Sequence, residues 1–399
     1  MTPPIASAPT RTTTCLVAPD FDEARAAAHA SGEPLGTEPV PVGRAHRRVL
    51  ANDVHASTDL PPFASSAMDG WAVSGAGPWV VTGTVLAGVL PGTTLLAGQA
   101  TAIATGAVIP AGTTAVVRRE DGTTARAVLT ADATTGRHIR PAGEEAGRGT
   151  LLLTAGTVLG PAHLGVAAAA GADVLNVVRR PVARVLVLGD ELLDHGIPHD
   201  GRIRDSLGPQ LPAWLQRIGV DCVGVDHVTD TLDAHLKAIE ASTDAELVVT
   251  TGGTAAGPAD HLHRAIIELG GTLVVDSVSI RPGHPMLLAR LPGRRWLLGL
   301  PGNPQSAVAA LLTLGAPLVA SLLGEPLHEL GPTTSDVALM APPRATRLVL
   351  ATLESDRAVP TDHHGSGMLR GLAVADGYAV VPPGGALPGD ALRWLPLPI

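Results

Sequence analysis

The length, composition and charge of this chain limit what it can be before any motif is considered. Its 399 residues predict roughly two to four domains, and a hydrophobic content of 45% is enough for large cores. The formal net charge of -9 argues against a general nucleic-acid or membrane-surface binder, since such proteins carry a basic face. A small anionic ligand held by local arginines or backbone N–H groups remains compatible with that charge.

The cysteines and the apolar runs indicate a soluble protein of a reducing compartment. Cys15 and Cys222 lie far apart without metal-ligand spacing, so no disulfide framework is expected. The N-terminus lacks the apolar run of a signal peptide. The most membrane-like run, residues 305–324, contains Pro317 and opens with Gln-Ser, which favours a buried helix over a membrane span. We therefore expect a cytoplasmic protein.

The first part of the chain predicts a tail, a helix and a β-rich lobe. Residues 1–18 are expected to be disordered because Pro, Thr and Ser dominate without periodicity. A short helix is expected over residues 20–30, where an acidic first turn suits the positive end of the helix dipole. Residues 46–145 contain short apolar runs broken by Gly, Pro and Thr, which is typical of a small β domain.

The remainder of the chain alternates strands with helices and then returns to short strands. Residues 146–180 give a strand, a helix from about Pro161 and a further strand. Residues 181–327 begin with the continuous apolar strand VARVLVLGDEL, and their alternation of strands and helices predicts a parallel, doubly wound sheet. Residues 328–399 indicate a second small β domain.

Polar residues and Gly-rich turns follow the strands of the α/β region. Ligands of doubly wound sheets bind beyond the carboxyl ends of the strands. The candidates at that edge are Asp190, Glu191, Asp205, Ser206, Asp230, Thr251, Gly252, Gly253, Asp260, Arg281, His284, Pro301, Gly302, Asn303 and Ser306. Carboxylate oxygens suit Mg²⁺, and backbone N–H groups at residues 251–254 would suit an oxyanion at a helix N-terminus. We therefore predict a site for a phosphorylated ligand and a divalent metal, although each Asp taken singly is also a common helix N-cap.

The loop LPPFASSAMDGWAV, residues 60–73, places one carboxylate beside a flexible turn residue. Its composition is typical of a surface loop, and the functional alternative is a loop built to present Asp69. Other candidate site motifs are not supported by the sequence. His195 and His199 lie on either side of a turn that contains Gly and Pro, so they do not form a zinc-binding pair on one helix. A Walker loop, a nucleophile elbow and a dinucleotide fingerprint are not found.

The same loop, together with the strand-end residues, resembles the molybdopterin molybdenumtransferases, the molybdenum-insertion enzymes related to the E domain of gephyrin. The resemblance covers the chain from about Asp20 to Pro398. Motifs follow in the order of that family: TAIATGAVIPAGTTAVVRRED, IRPAGEEAGRGTLLLTAGTVLGPAHLG, VLVLGDEL, GRIRDS, VVTTGG, RPGHP, GLPGNPQSA and GSGMLRGLAVADGYAVVPPG. So many ordered motifs make the match specific.

The resemblance implies an organisation and a reaction. It implies an elongated linking and dimerisation region over residues 19–45 and 146–180, a β-rich lobe over 46–145, an α/β molybdopterin-binding domain over 181–327 and a C-terminal β-barrel over 328–399. The chain would form a homodimer with its site between subunits. The implied reaction inserts molybdenum from molybdate into adenylylated molybdopterin, with Mg²⁺ and release of AMP. Candidate further partners are a molybdopterin adenylyltransferase and recipient molybdoenzymes.

The resemblance also implies roles for individual residues. The residues that would line the reacting centre are Asp69, Thr105, Glu191, Asp230 and Asp260, of which Glu191, Asp230 and Asp260 would hold the metal. Substrate binding is implied for Asp190, Ser206, Thr251, Gly252, Gly253, Arg281, His284, Pro301, Gly302, Asn303, Pro304 and Ser306. Asp69 and Thr105 would face the α/β domain of the partner subunit. For the two prolines, shaping the pocket is a purely structural alternative.

The chain departs from the family pattern at several polar positions. The family's Lys-Pro-Gly-Lys-Pro reads Arg281 to Pro285 here, so both lysines are absent, and Arg does not replace Lys equivalently. A hydroxyl is lost at Ala255, an amide at Leu207 and a carboxylate at Ala64. The alternative function is therefore a diverged paralogue that binds molybdopterin or a partner as a carrier or scaffold without efficient insertion. A stand-alone adenylyltransferase is a weaker alternative, because the α/β domain alone would suffice for it.

Overall fold

The computed structural model describes residues 14–254 and 261–398. Two compact units are present: Met1–Thr37 with Val178–Ile399, and Glu38–Val177. Residues 1–13, for which disorder was predicted, lie outside the described residues, as do Ala255 and Asp260. The two units do not resolve the finer domain boundaries expected from the sequence, so those boundaries stay predictions.

The described chain opens with a strand and a capped helix. These elements are β1 (Leu16–Val17) and α1 (Phe21–Ser31). Asp20 caps the helix by accepting the Glu23 N–H at 2.8 Å, and the Glu23 side chain accepts the Asp20 N–H in return. The expectation of disorder over residues 1–18 is wrong for Leu16–Val17, because this pair adds a parallel strand to the α/β sheet.

The second unit is built almost entirely of short strands. Its strands are β2 (Thr37–Pro41), β3 (Val54–His55), β4 (Ser65–Ser66), β5 (Gly70–Val73), β6 (Trp79–Val85), β7 (Gln99–Ile103), β8 (Ala115–Arg118), β9 (Thr123–Ala125), β10 (Val128–Thr130), β11 (Ile139–Arg140), β12 (Leu151–Leu153) and β13 (Val174–Val178), with one α-helix, α2 (Pro161–Ala169). Six of them form a sheet in the order β8-β5-β7-β6-β10-β9. Val73, Trp79 and Leu129 are buried on this sheet, which gives the lobe its own core.

Gly70 explains the glycine that follows Asp69 in the loop. Strand β5 lies between β7 and β8, and a Cβ on Gly70 would sit 1.9 Å from the carbonyl oxygen of Val117. A backbone oxygen cannot yield as a flexible side chain would. Only glycine therefore lets the two strands approach at this point.

Gly70→Ala is expected to lower the free energy of unfolding by about 1–3 kcal/mol, because the added methyl group forces β5 and β8 apart. Urea unfolding of the full chain measures the change. Gly43→Ala is the matched control, since a Cβ there meets nothing within 4 Å. Equal midpoints for the two variants would contradict the close approach.

The α/β domain follows the alternation that the sequence predicts. Its elements are β14 (Val182–Leu188), β15 (Leu192–Leu193), β16 (Ile203–Arg204), α3 (Leu211–Arg217), β17 (Asp221–Val228), α4 (Leu232–Ala241), β18 (Leu247–Thr251), α5 (Leu262–Glu268), β19 (Thr272–Asp276), β20 (Ile280–Arg281), β21 (Leu287–Leu291), β22 (Arg295–Leu300), α6 (Pro304–Ala310) and α7 (Ala316–Leu322). The main sheet has the order β1-β19-β21-β22-β18-β14-β17. Leu186, Val248 and Leu297 are buried at its centre against α5, as expected for strands covered on both faces.

The sheet is not wholly parallel, which corrects the sequence-based expectation. Strand β21 runs antiparallel to both of its neighbours, β19 and β22. The short turn between Leu291 and Arg295 allows only a hairpin, because a parallel connection needs a longer crossover. The strands β14, β17, β18 and β22 pair in parallel, so their carboxyl ends share one edge.

The longest apolar helical run, Pro304–Leu322, is 94% buried, which confirms the expectation of a core helix. Helix α6 passes through a π-helical segment, Leu311–Gly315, before α7. Pro317 has no N–H to donate to the preceding turn, and this accounts for the change in helical register. The helix therefore continues through a proline without breaking, and its burial matches the core helix of a soluble protein.

The C-terminal β domain is attached to the α/β domain through β20 and α6. Its remaining strands are β23 (Gly331–Thr333), β24 (Thr346–Glu354), β25 (Arg357–Pro360), β26 (Gly377–Val381) and β27 (Leu392–Pro396). Strand β20 pairs in parallel with β24, which sets Arg281 beside Arg347. The buried Gln305 donates to the carbonyl oxygens of His363 and Met368, both at 3.0 Å. These contacts dock the loop of residues 361–371 on the start of α6.

Candidate functional site

The carboxyl ends of β14 and β17 bring acidic residues together. Asp190 accepts the backbone N–H of Asp230 at 3.4 Å. Glu191 folds back over Gly189, and a Cβ on that glycine would lie 2.7 Å from a Glu191 carboxylate oxygen. Thr231, rather than Asp230, caps α4 by accepting the Ala234 N–H at 3.2 Å. The Asp230 carboxylate is therefore not used as a helix cap.

Asp205 is the strand-end carboxylate that is used by its own backbone turn and caps no described helix. Its Oδ1 accepts the N–H groups of Leu207 and Gly208 at 2.9 and 3.0 Å, and its Oδ2 lies 3.2 Å from Nε2 of His227. This turn precedes helix α3, which begins at Leu211. Asp205 is 5% exposed and holds the turn that presents the half-buried Ser206.

The Gly-rich turn after β18 uses one of its backbone N–H groups within the protein. Gly252 and Gly253 both have positive φ, at 83° and 66°, which favours glycine. The Gly252 N–H donates to the carbonyl oxygen of Leu300 at 2.8 Å, so it is not available to an oxyanion. A helix beginning directly after this turn would fall on residues 255–260, which lie outside the described residues, so the predicted oxyanion role of the remaining N–H groups stays a prediction.

The turns after β18 and β22 lie side by side. A Cβ on Gly302 would lie 3.9 Å from Cα of Gly252. The carbonyl oxygen of Asn303 accepts the Ala307 N–H at 2.9 Å, which starts α6, and Pro304 occupies its first position. Pro301 is buried and shapes the turn. The segment therefore leads directly from the strand ends into the first turn of α6.

A basic cavity of about 420 Å³ lies at that first turn. Its polar lining residues are Arg281, His284, Ser306, Arg347, His364 and Ser366. None of the lining residues within the described part of the chain is acidic. The polar lining residues thus carry two guanidinium groups, two imidazoles and two hydroxyls, a set that favours binding of an oxyanion.

Three of these lining residues were missed by the sequence analysis. Arg347, His364 and Ser366 belong to the C-terminal domain and reach the cavity only through the pairing of β20 with β24 and the docking by Gln305. The backbone N–H of Gln305 donates to the Ser366 carbonyl oxygen at 3.0 Å. The one available signal was the motif GSGMLRGLAVADGYAVVPPG, which contains Ser366 at a Gly-Ser-Gly turn.

His235 lies beneath the acidic edge and is fully buried. Its Nε2 is 3.7 Å from Asp230 Oδ1, beyond hydrogen-bond distance, and its ring packs edge-to-face against His261 with centroids 5.9 Å apart. Neither ring nitrogen has a hydrogen-bond partner within the described residues. Burial lowers the pKa of His235, although the Asp230 carboxylate partly opposes this. The ring is therefore neutral in the folded protein at pH 7.

His235→Leu is expected to raise the free energy of unfolding by about 1–3 kcal/mol, because it removes two unsatisfied polar atoms from a buried position and leucine is of similar size. The gain should be larger at pH 5.5 than at pH 7.5. The unfolded chain binds a proton on this imidazole in the ordinary range, whereas the folded chain resists it, so the wild type loses stability as the pH falls. Urea unfolding at both pH values measures this. The exposed His195→Leu is the control, and equal losses on acidification in wild type and His235→Leu would contradict the argument.

The β-rich unit holds the other two residues predicted for the reacting centre. Asp69 Oδ1 accepts both the backbone N–H and the hydroxyl of Thr105, at 2.8 and 3.1 Å. These bonds, the backbone one first, lower the pKa of Asp69, so the exposed carboxylate stays ionised. Its Oδ2 makes no hydrogen bond within the described residues. Asp69 is therefore fixed by one oxygen and presents the other, which favours the interpretation of a loop built to present this carboxylate.

Within residues 14–254 and 261–398, no group of three His, Cys, Asp or Glu residues is close enough to hold a metal ion. Asp190, Glu191 and Asp230 are all oxygen donors, the type that Mg²⁺ prefers. Asp260, the third residue predicted for the metal, is outside the described residues. The donor chemistry fits Mg²⁺, while the complete ligand set stays a prediction.

Three family models match the chain. The MoeA N-terminal region (domain I and II) matches residues 20–171, a probable molybdopterin binding domain matches residues 184–321, and the MoeA C-terminal region (domain IV) matches residues 334–397. Together they account for most of the chain.

Curated relatives and solved structures agree with these matches. A molybdopterin molybdenumtransferase from Haemophilus influenzae is 32% identical over 320 residues, 77% of this chain and 78% of that protein. Molybdopterin molybdenumtransferase 2 from Mycobacterium tuberculosis is 34% identical over 372 residues, 86% of this chain and 90% of that protein. The crystal structure of a molybdopterin biosynthesis MoeA protein from Pyrococcus horikoshii has a TM-score of 0.79 with 26% identity, covering 95% of this chain and 99% of that chain. This likeness confirms the multidomain α/β and β fold class.

Proposed function

Because this chain belongs to the MoeA family of molybdopterin molybdenumtransferases, we propose that it inserts molybdenum from molybdate into adenylylated molybdopterin and releases AMP, in the biosynthesis of the molybdenum cofactor. The observation that carries this proposal is the basic cavity at the start of α6. It lies one short segment away from the strand-end turns where a doubly wound sheet binds its ligand.

The cavity suits molybdate in charge and in donor geometry. Molybdate is a small tetrahedral dianion, and the guanidinium groups of Arg281 and Arg347 supply two fixed positive charges. The hydroxyls of Ser306 and Ser366 add neutral donors. No carboxylate is present among the described lining residues, so no negatively charged side chain there opposes the dianion.

The acidic edge and the turns beside it suit the pterin substrate. The half-buried Ser206 and the turns at Thr251–Gly253 and Pro301–Asn303 would bind adenylylated molybdopterin by close backbone approach. Asp190 would bind there through the carboxylate that accepts the Asp230 N–H. The two substrates are both anions, so the protein must hold them together against their mutual repulsion.

Magnesium would be held by Glu191, Asp230 and Asp260, with Asp190 beside them. A bound Mg²⁺ would supply positive charge that polarises the phosphoanhydride of the substrate. The protein itself makes these carboxylates available. Thr231 caps α4, so the Asp230 carboxylate is not needed as a helix cap. Gly189 has no side chain, which leaves space for the Glu191 carboxylate.

We also propose that the working form is a homodimer in the cytoplasm, in which Asp69 and Thr105 of one copy complete the site of the other. The ionised Asp69 would line the reacting centre through its free Oδ2. A molybdopterin adenylyltransferase that supplies the substrate, and molybdoenzymes that receive the product, are the proposed transient partners.

Release of AMP tests the function. Purified protein is given adenylylated molybdopterin and Mg²⁺, with and without molybdate. Release that depends on molybdate is the expected result. Tight binding of the pterin without release would instead support a carrier or scaffold, the alternative suggested by the loss of both lysines from the RPGHP segment. Formation of adenylylated molybdopterin from ATP would point to an adenylyltransferase.

A further inference from the structure

Both histidines of the basic cavity are held in one tautomer by backbone carbonyl groups. Nδ1 of His284 lies 2.7 Å from the carbonyl oxygen of Val278, and Nδ1 of His364 lies 3.1 Å from that of Thr361. A carbonyl oxygen can only accept, so each Nδ1 carries the hydrogen. Nε2 is then the unprotonated nitrogen of each neutral ring, and it makes no protein hydrogen bond within the described residues.

This tautomer is unsuited to an anion while the rings are neutral. An oxyanion offers only lone pairs, and a neutral Nε2 also offers a lone pair, so the two repel. Nε2 can donate to the anion only after it takes up a proton. Rotation of the ring of His284 would not help, because it would break the bond to Val278.

Three arginines line the space around the two rings. Arg281 and Arg347 line the cavity with both histidines, and Arg344 lines an adjoining cavity of about 380 Å³ together with His284. A dianion bound in this cavity attracts positive charge on a neighbouring ring, so its presence favours the imidazolium form.

We propose that this cavity is a proton-coupled oxyanion site, in which an oxyanion binds together with protons on Nε2 of His284 and His364. This inference rests on the proposed function, because it takes molybdate as the oxyanion. The coupling makes molybdate affinity fall as the pH rises, by as much as about tenfold per pH unit for each proton taken up. The site therefore captures its substrate more tightly at lower pH and releases the protons when the oxyanion leaves.

Calorimetric titration of the full-length protein with sodium molybdate, without pterin, tests the proposal. Titrations at one pH in buffers of different ionisation enthalpy give the number of protons taken up, and titrations from pH 6 to 8.5 give the pH dependence. The wild-type protein is expected to take up protons when molybdate binds, and its affinity for molybdate is expected to fall steadily as the pH rises. The double variant His284→Gln with His364→Gln should take up none and show a flat profile, and His284→Lys should lose only the share of His284. His29→Gln, remote from the cavity, is the control.

The outcomes separate the two proposals. Binding of molybdate without proton uptake, or a pH profile unchanged in the double variant, overturns the coupling and leaves the insertion function standing. An absence of molybdate binding at every pH, combined with no molybdate-dependent AMP release, overturns the function itself. Circular dichroism and thermal unfolding of each variant show whether a lost signal comes from misfolding.

Discussion

Asp69→Asn is expected to lower the rate of molybdate-dependent AMP release by about 10²–10³-fold, the loss typical of one pre-organised electrostatic group. The substitution leaves the shape of the loop intact, because the amide oxygen still accepts both bonds from Thr105. It replaces the free, ionised Oδ2 with an NH₂ group. The melting temperature should therefore change little, and steady-state AMP release with thermal unfolding measures both quantities. Asp132→Asn, at another exposed carboxylate of the same unit, is the control. Parallel loss of activity and melting temperature would mean that the loop is only structural.

The same variant tests whether two copies share a site. If Asp69 acts on the α/β domain of the partner, each site takes Asp69 from one subunit and Asp230 from the other, so Asp69→Asn and Asp230→Asn remove residues that different subunits supply. Mixed dimers would then contain one intact site, and random mixing of the two inactive proteins should restore about a quarter of wild-type activity. Mixtures that stay inactive despite exchange of subunits, followed by mass spectrometry, would show that each site uses residues of a single copy.

Arg347→Ala is expected to raise the KM for molybdate by about 10²-fold, because it removes a charged donor from a cavity without carboxylates. The rate at saturating molybdate should fall much less, since the pterin sites are untouched. Arg347 also donates to the carbonyl oxygen of Met340 at 2.8 Å, so thermal unfolding must accompany the kinetics. Arg347→Lys keeps the charge but loses the planar fork, and should lie between wild type and alanine.

The matched control is Arg357→Ala in the neighbouring strand β25, where Arg357 pairs with Asp336 at 3.0 Å on the surface. That variant should leave the KM for molybdate unchanged. If Arg347→Ala and Arg357→Ala behave alike, the basic cavity does not bind molybdate.

The sequence anticipated those parts of the site that local order determines. The strand-end residues could be collected because the carboxyl ends of parallel strands share an edge, and Asp190 and Asp230 indeed meet there. The sequence could not predict which carboxylate accepts hydrogen bonds from backbone N–H groups and which stays available for a ligand. The Asp205 carboxylate accepts backbone N–H groups of its own turn, whereas Thr231 caps α4 so that Asp230 does not have to. That choice depends on hydrogen bonds that no residue pattern encodes.

By itself the sequence determined the family and the order of the main elements, and it singled out the loop that contains Asp69, because these follow from motifs, periodicity and turn chemistry within short stretches of chain. Only the tertiary structure placed Arg347 beside Arg281, buried His235 under the acidic edge, and locked His284 in one tautomer. The reason is physical. Each of these features joins groups that are distant along the chain or belong to different elements, and their pairing is set by the packing of whole sheets and not by local propensity.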